Sequence, residues 1–151
     1  MNLTAKYYVG GCKGNTVKVE TVDYNGVKKE LAFSAASYIE CEVGYWRKAN
    51  AIHKWFVDNV QGHEDDCGTY AVDEGELDKL ELACRTVLAA KGTKKEKEVA
   101  MKILPPCEGF FFGGTDIDEY YYSDLEDTLE IIERARKAIA DGADIYYSSF
   151  W

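Results

Sequence analysis

The chain holds two prolines and two histidines in 151 residues, and none of its five cysteines is paired at C-x-x-C spacing. So few prolines exclude a polyproline segment or a stiff Pro-rich linker. An odd, scattered set of cysteines (Cys12, Cys41, Cys67, Cys84, Cys107) excludes a disulfide scaffold, so reduced thiols are expected, with Cys41 and Cys84 as small core residues. No run approaches the ~18 apolar residues of a membrane span. No cationic segment followed by an apolar stretch opens the sequence, and a cytoplasmic protein is expected. Nucleophilic catalysis has little to build on, because no G-x-S-x-G occurs and the histidines are His53 and His63 alone.

Aromatic side chains and acids are plentiful. Eleven Tyr, six Phe and three Trp supply the large surfaces that dominate cores and binding faces alike. Hydrophobic residues at 46% and charged ones at 30% are an ordinary globular balance, and 151 residues suit one domain, taken as 1–151. The net charge of −9 is unevenly spread. Residues 1–60 sum to +2 and residues 61–151 to −11, with eight acids and no base from Asp116 to Glu133. Such a field repels nucleic acid and anionic membrane and attracts a basic partner. Solubility is the plainer reading of the same charge.

The patterning predicts an α+β fold: an N-terminal β-hairpin and antiparallel sheet packed with about four helices, and a C-terminal aromatic strand joining the sheet. Residues 1–43 read as β-rich. Alternation over 16–24, a turn at Asn25-Gly26, a return over 27–33 and a further strand over 37–43 carry this reading. Gly10, Gly11 and Gly14 make the first dozen residues loop-like. From Gly44 onward the period changes. On a helical wheel residues 45–60 place Tyr45, Ala49, Ile52, Phe56 and Val60 on one face. Three further helix starts put a capping residue three positions before a Glu: Asp73 with Glu76, Thr93 with Glu96, Ser123 with Glu126. Pro105-Pro106 ends one helix and Gly142 follows another. Short aromatic strands are expected at 109–112 and 144–151.

Two sets of residues stand out as candidate sites. The first is acidic and aromatic: Asp116, Asp118, Glu119, Tyr120, Tyr121, Tyr122, Asp124 and Asp127. Three successive tyrosines ahead of a helix cap cannot all be buried, and tyrosine is favoured at binding hot spots. The second gathers Trp46, Lys48, Asn50 and His53 with the Gly113-Gly114 turn. Aromatic walls with a few polar groups suit a small ligand or nucleotide. His53 falls in the apolar arc of its helix, where a histidine is ordinarily a core residue with one satisfied hydrogen bond; the alternative is a general base. Lys48 either holds an anion or runs its stem past Trp55 to water. Gly113-Gly114 lacks the Lys-Ser/Thr of a P-loop and serves equally as a turn. His63-Glu-Asp-Asp-Cys67 lacks the paired spacing of a zinc site. Asp116-Ile-Asp118 resembles the start of an EF-hand, but Tyr121 and Asp127 stand where Gly and Glu are needed. No cofactor and no metal are expected.

The helix Tyr45-Trp-Arg-Lys-Ala-Asn-Ala-Ile-His-Lys-Trp-Phe56 resembles a family of small uncharacterised proteins encoded by phages and prophages of gut bacteria. Asp66-Cys67-Gly68, the Leu104 to Gly113 stretch, an Asp-x-Asp-Glu-x-Tyr segment and the Tyr-Tyr-Ser-Ser-Phe-Trp terminus extend the likeness over 44–151. The first 43 residues depart from it, and Phe150 interrupts its Ser-Ser-Trp ending. The resemblance implies a phage accessory context and no activity. The expectation is then a non-enzymatic acidic protein that blocks a basic, nucleic-acid-handling host defence complex, as anti-CRISPR proteins do. It binds neither nucleic acid nor membrane directly. The alternative is a small-ligand or nucleotide-binding protein, possibly enzymatic, with its pocket near His53 and the Gly113–Asp116 turn.

Overall fold

Residues 1–9, 16–108 and 114–150 are described by a computed structural model. Among them are six strands and four helices in an α+β arrangement. A four-stranded antiparallel sheet runs in the order β4-β1-β6-β5, built from β1 (Asn2–Tyr8), β4 (Tyr38–Tyr45), β5 (Thr69–Val72) and β6 (Asp144–Ser148). The expected C-terminal aromatic strand therefore joins the sheet, at its centre beside β1. The first residues, read as loop-like, are instead its other central strand. Leu3, Ala5 and Tyr7 alternate there with Asn2, Thr4 and Lys6, and each strand neighbour supplies the missing half of the ladder. A separate two-stranded ribbon pairs β2 (Thr16–Val22) with β3 (Lys28–Ser34), turning at the expected Asn25-Gly26.

One sheet face is covered by helices and the other is wet. Leu3, Ala5, Ile145, Tyr147 and Val72 point into the core, where α4 (Glu119–Ala140) crosses β1, β4 and β6. Each large apolar side chain so buried stabilises by roughly 1.5–3 kcal/mol. Gly44 permits the close approach, since a Cβ there would fall 2.3 Å from Ile131 Cγ2. On α1 (Asn50–Asn59), Phe56 stacks on Tyr147 with ring centroids 3.9 Å apart. Helix α2 (Glu74–Ala90) packs on α4, and α3 (Glu96–Ile103) on α2. On the wet face Lys6 Nζ sits 4.6 Å from the ring centre of Tyr146 and 5.2 Å from that of Tyr38. Cys84 is buried as expected; Cys41 is exposed, because β4 is the outer strand of the sheet.

Helix starts follow the local caps rather than the wheel. Asp73 and Glu76 form the expected capping box. The helix expected from residue 45 begins at Asn50, because Lys48 takes a left-handed φ of 64° that no α-helix continues through. Thr93 precedes rather than caps α3, whose N-cap is Lys95. The longest helix starts at Glu119, not after Ser123. Asp118 accepts from Tyr121 N–H at 3.0 Å and so draws all three tyrosines into the first turn. Pro105-Pro106 and Gly142, at φ 90°, stand just beyond helix ends as expected. The strand expected at 109–112 lies outside the described residues.

Candidate functional site

The N-termini of α1 and α4 meet at a cavity of about 330 Å³. Its first wall comes from the strained entry to α1. After Lys48 the chain closes an inverse γ-turn, Ala49 at φ −74° and ψ 76°, with Asn50 N–H donating to Lys48 C=O at 2.9 Å. Asn50 is buried and its Nδ2 donates to Gly114 C=O at 3.0 Å, fixing the 114–118 segment against the helix. Arg47 and Lys48 are exposed at this wall, and α1 has no side-chain cap and no acid in its first turn. The wall is therefore electropositive.

The opposite wall is acidic. Asp116, Asp118 and Asp124 line it, with the exposed ring of Tyr120 (83% accessible) at the mouth. Tyr121 closes the floor and its hydroxyl donates to Leu104 C=O at 2.9 Å. Asp124 is the unusual member. Burial, and then the charges of Asp127 and Asp118, push its carboxyl up to about 6. A titratable group displaced this way inside a cleft is a mark of functional sites. Asp124 is anchored by its backbone: its C=O accepts from Thr128 Oγ at 2.6 Å, and that oxygen accepts from Trp46 Nε1 at 2.9 Å.

Both sets of residues singled out from the sequence reach this one cavity, each incompletely. From the acidic set Asp116, Asp118, Tyr120, Tyr121 and Asp124 line it. Tyr122 is buried instead, beneath Lys91 Nζ at 4.7 Å from its ring centre, and cannot offer its ring to a partner. Glu119 pairs with Lys91 at 2.8 Å, and Asp127 is exposed outside the cavity lining. From the second set Lys48, Asn50 and Gly114 line the cavity. Trp46 is behind it, bonded to Thr128. Gly113 lies outside the described residues. Arg47 was missed, although its place beside Lys48 put it within reach of any anion Lys48 could hold.

His53 is elsewhere. It is 2% accessible, with Tyr147 Oη 2.7 Å from Nδ1 and Asp65 Oδ2 3.1 Å from Nε2. Burial lowers its pKa and outweighs Asp65, which raises it; burial pushes the Tyr147 hydroxyl far above the usual range. The phenol therefore donates to Nδ1, and the neutral ring carries its proton on Nε2, facing Asp65. In the same loop Asp66 accepts from Gly68 N–H and Tyr70 Oη, and His63 faces Asp58. No helix among the described residues is long and apolar enough to cross a membrane. No protein-family model, curated protein or solved structure matches the chain.

Proposed function

We propose that this chain is a binding protein without catalysis, whose acidic end takes a cationic group of a basic protein partner into the α1/α4 cavity. The observation that carries this reading is Asp124, a half-buried carboxyl held near 6 on a wall shared with Asp116 and Asp118. Keeping that carboxylate ionised without a counter-charge costs free energy, and an arginine or lysine side chain entering the cavity removes the cost. At about 4 Å and an effective dielectric of about 20 the gross attraction is about 4 kcal/mol. The exposed Tyr120 ring adds a face for a cation. The eight acids from Asp116 to Glu133 steer such a partner from a distance. In the Tyr147–His53–Asp65 chain the histidine and tyrosine read as core, since they have almost no contact with solvent, and the exposed Asp65 ends the chain at the surface. With the phage-like character of the sequence, the partner class is a basic, nucleic-acid-handling defence complex of a bacterial host, which the protein inhibits by occupying its basic surface.

Affinity capture from bacterial lysate tests this, with wild type beside an Asp118→Asn/Asp124→Asn variant. Wild type should retain a basic nucleic-acid-handling protein that the variant loses, and should raise plaque counts on a defended host. Equal capture by both proteins, or no capture and no change in plaques, refutes it.

A second reading rests on the opposed charges of the walls. A small zwitterion could set a carboxylate against Arg47 and Lys48 and an ammonium against Asp118 and Asp124. A nucleotide fits less well, because its phosphates would share the space with three carboxylates. Thermal shift with amino acids and nucleotides separates the two. A ligand at a hundredfold its Kd should stabilise by about 2.7 kcal/mol. Lys48→Ala, rather than a change at His53, should remove the shift.

A further inference from the structure

The β2–β3 ribbon stands outside the core. None of its residues is buried, and none belongs to the hydrophobic cluster or to the half-buried side chains packed against that cluster. Yet its two faces differ. Register places Val17 opposite Phe33, Val19 opposite Leu31 and Thr21 opposite Lys29, so these six share one face. Lys18, Glu20, Val22, Lys28, Glu30 and Ala32 share the other. Glu20 lies directly opposite Glu30, a destabilising like-charge pair. Each glutamate is relieved by a diagonal lysine, Lys28 with Glu20 at 2.7 Å and Lys18 with Glu30 at 2.9 Å. A two-stranded hairpin is marginal in water by itself, and among the described residues nothing packs over the aliphatic and aromatic face of this one, with Phe33 47% accessible.

We infer that this face is a self-association surface, on which the ribbon of a second copy of the chain packs across a two-fold axis. Charge selects that occupant. The segment 16–34 holds three lysines and three acids and is neutral, whereas the molecule as a whole carries −9. The ribbon is thus where two such acidic molecules approach with least repulsion. The one charged side chain of this face, Lys29, sits at its turn end, away from Val17 and Phe33. The aliphatic and aromatic part therefore offers nothing with which to recognise a charged or hydrogen-bonding stranger. The face's one hydroxyl, Thr21 Oγ, already donates to Lys29 C=O at 3.1 Å, and the cross-strand ion pairs lie on the opposite side. What remains is Val17, Val19, Leu31 and Phe33, which meet their own copies isologously, as two similarly twisted ribbons pack in a β-sandwich. Seven residues per strand make a face of roughly 23 Å by 10 Å. That falls well short of the ~800 Å² per partner of a stable complex, so the dimer is reversible.

Sedimentation equilibrium of the full chain from about 5 to 500 µM, spanning Kd values in the micromolar to sub-millimolar range, tests this. The weight-average mass should rise from monomer toward dimer and stop there. Leu31→Glu/Phe33→Glu should stay monomeric throughout with an unchanged melting transition, because neither residue touches the core. Lys18→Gln on the opposite face, and Asp124→Asn in the cavity, should dimerise like wild type, which keeps this test separate from partner binding. A mass that stays monomeric at every concentration, that climbs beyond dimer, or that still doubles in the Leu31/Phe33 variant overturns the inference.

Discussion

Replacing Asp124 by Asn removes one negative charge and leaves the shape of the cavity wall almost unchanged, so it isolates the cost of the carboxylate. The carboxyl ionises near 3.8 when exposed and at about 6 in the folded chain. Between those values the folded state holds the proton and the unfolded state does not. Stability contributed by this group is therefore complete below pH 3.8, declines as pH rises to about 6, and is flat above. A displacement of this size corresponds at about 1.36 kcal/mol per pH unit to roughly 3 kcal/mol. Partial hydration reduces it, and a penalty on the order of 1–2 kcal/mol is expected at neutral pH. Urea unfolding of both proteins at pH 7.5 and 4.5, followed by the fluorescence of buried Trp46 and Trp55, measures it directly. The Asn variant should be the more stable at pH 7.5, and the gap should narrow at pH 4.5, closing fully only below about pH 3.8. A variant less stable than wild type at pH 7.5, or a gap indifferent to pH, would refute the reasoning.

Gly44→Ala sets a methyl 2.3, 2.7 and 2.9 Å from three side-chain carbons of Ile131, which is itself buried on α4. Overpacking of this kind costs about 1–3 kcal/mol. Ile131→Ala in the same chain should recover most of that cost, and strict additivity in the double variant would show that the helix does not lean on Gly44. For His53, burial holds the ring neutral, so the unfolded chain protonates first as pH falls. Its contribution is complete above about pH 6.5 and erodes below it, toward the lowered folded value. Nitrogen-detected NMR at about pH 7.5 should show the neutral tautomer with its proton on Nε2; a neutral ring protonated on Nδ1 instead would contradict the assignment.

Much of the architecture was legible wherever alternation or a cap was local. Strands β2, β3 and β4, the Asp73–Glu76 box, the Pro105 stop and the glycine after α4 were readable within windows of a few residues. Misreadings arose where a distant partner decided. Strand β1 shows clear alternation, but Gly10, Gly11 and Gly14 pull the same window toward loop, and only pairing with β4 and β6 resolves the competition. Four-residue β5 is too short to show a period at all. Wheel periodicity ran on through residues 45–49 because Tyr45, Trp46 and Ala49 are spaced as a helix would space them; a left-handed Lys48 interrupts it. That turn also puts Lys48 at the cavity rather than past Trp55. Asp118 outcompeted Ser123 as cap, which turned two of the three tyrosines inward. Helix starts, read correctly, would have placed both candidate sets together, since the cavity lies where α1 and α4 begin.

The sharpest test of the binding reading is the ionisation of Asp124 itself, followed by carbon-detected NMR of its carboxyl in the free protein and with a tetra-arginine peptide. The expected result is a midpoint of about 6 in the free chain that falls by a unit or more on saturation, with coincident shifts at Asp118 and Tyr120. A midpoint already in the ordinary carboxylate range, unmoved by the peptide, would mean that the acidic wall holds no unmet charge for a partner to answer.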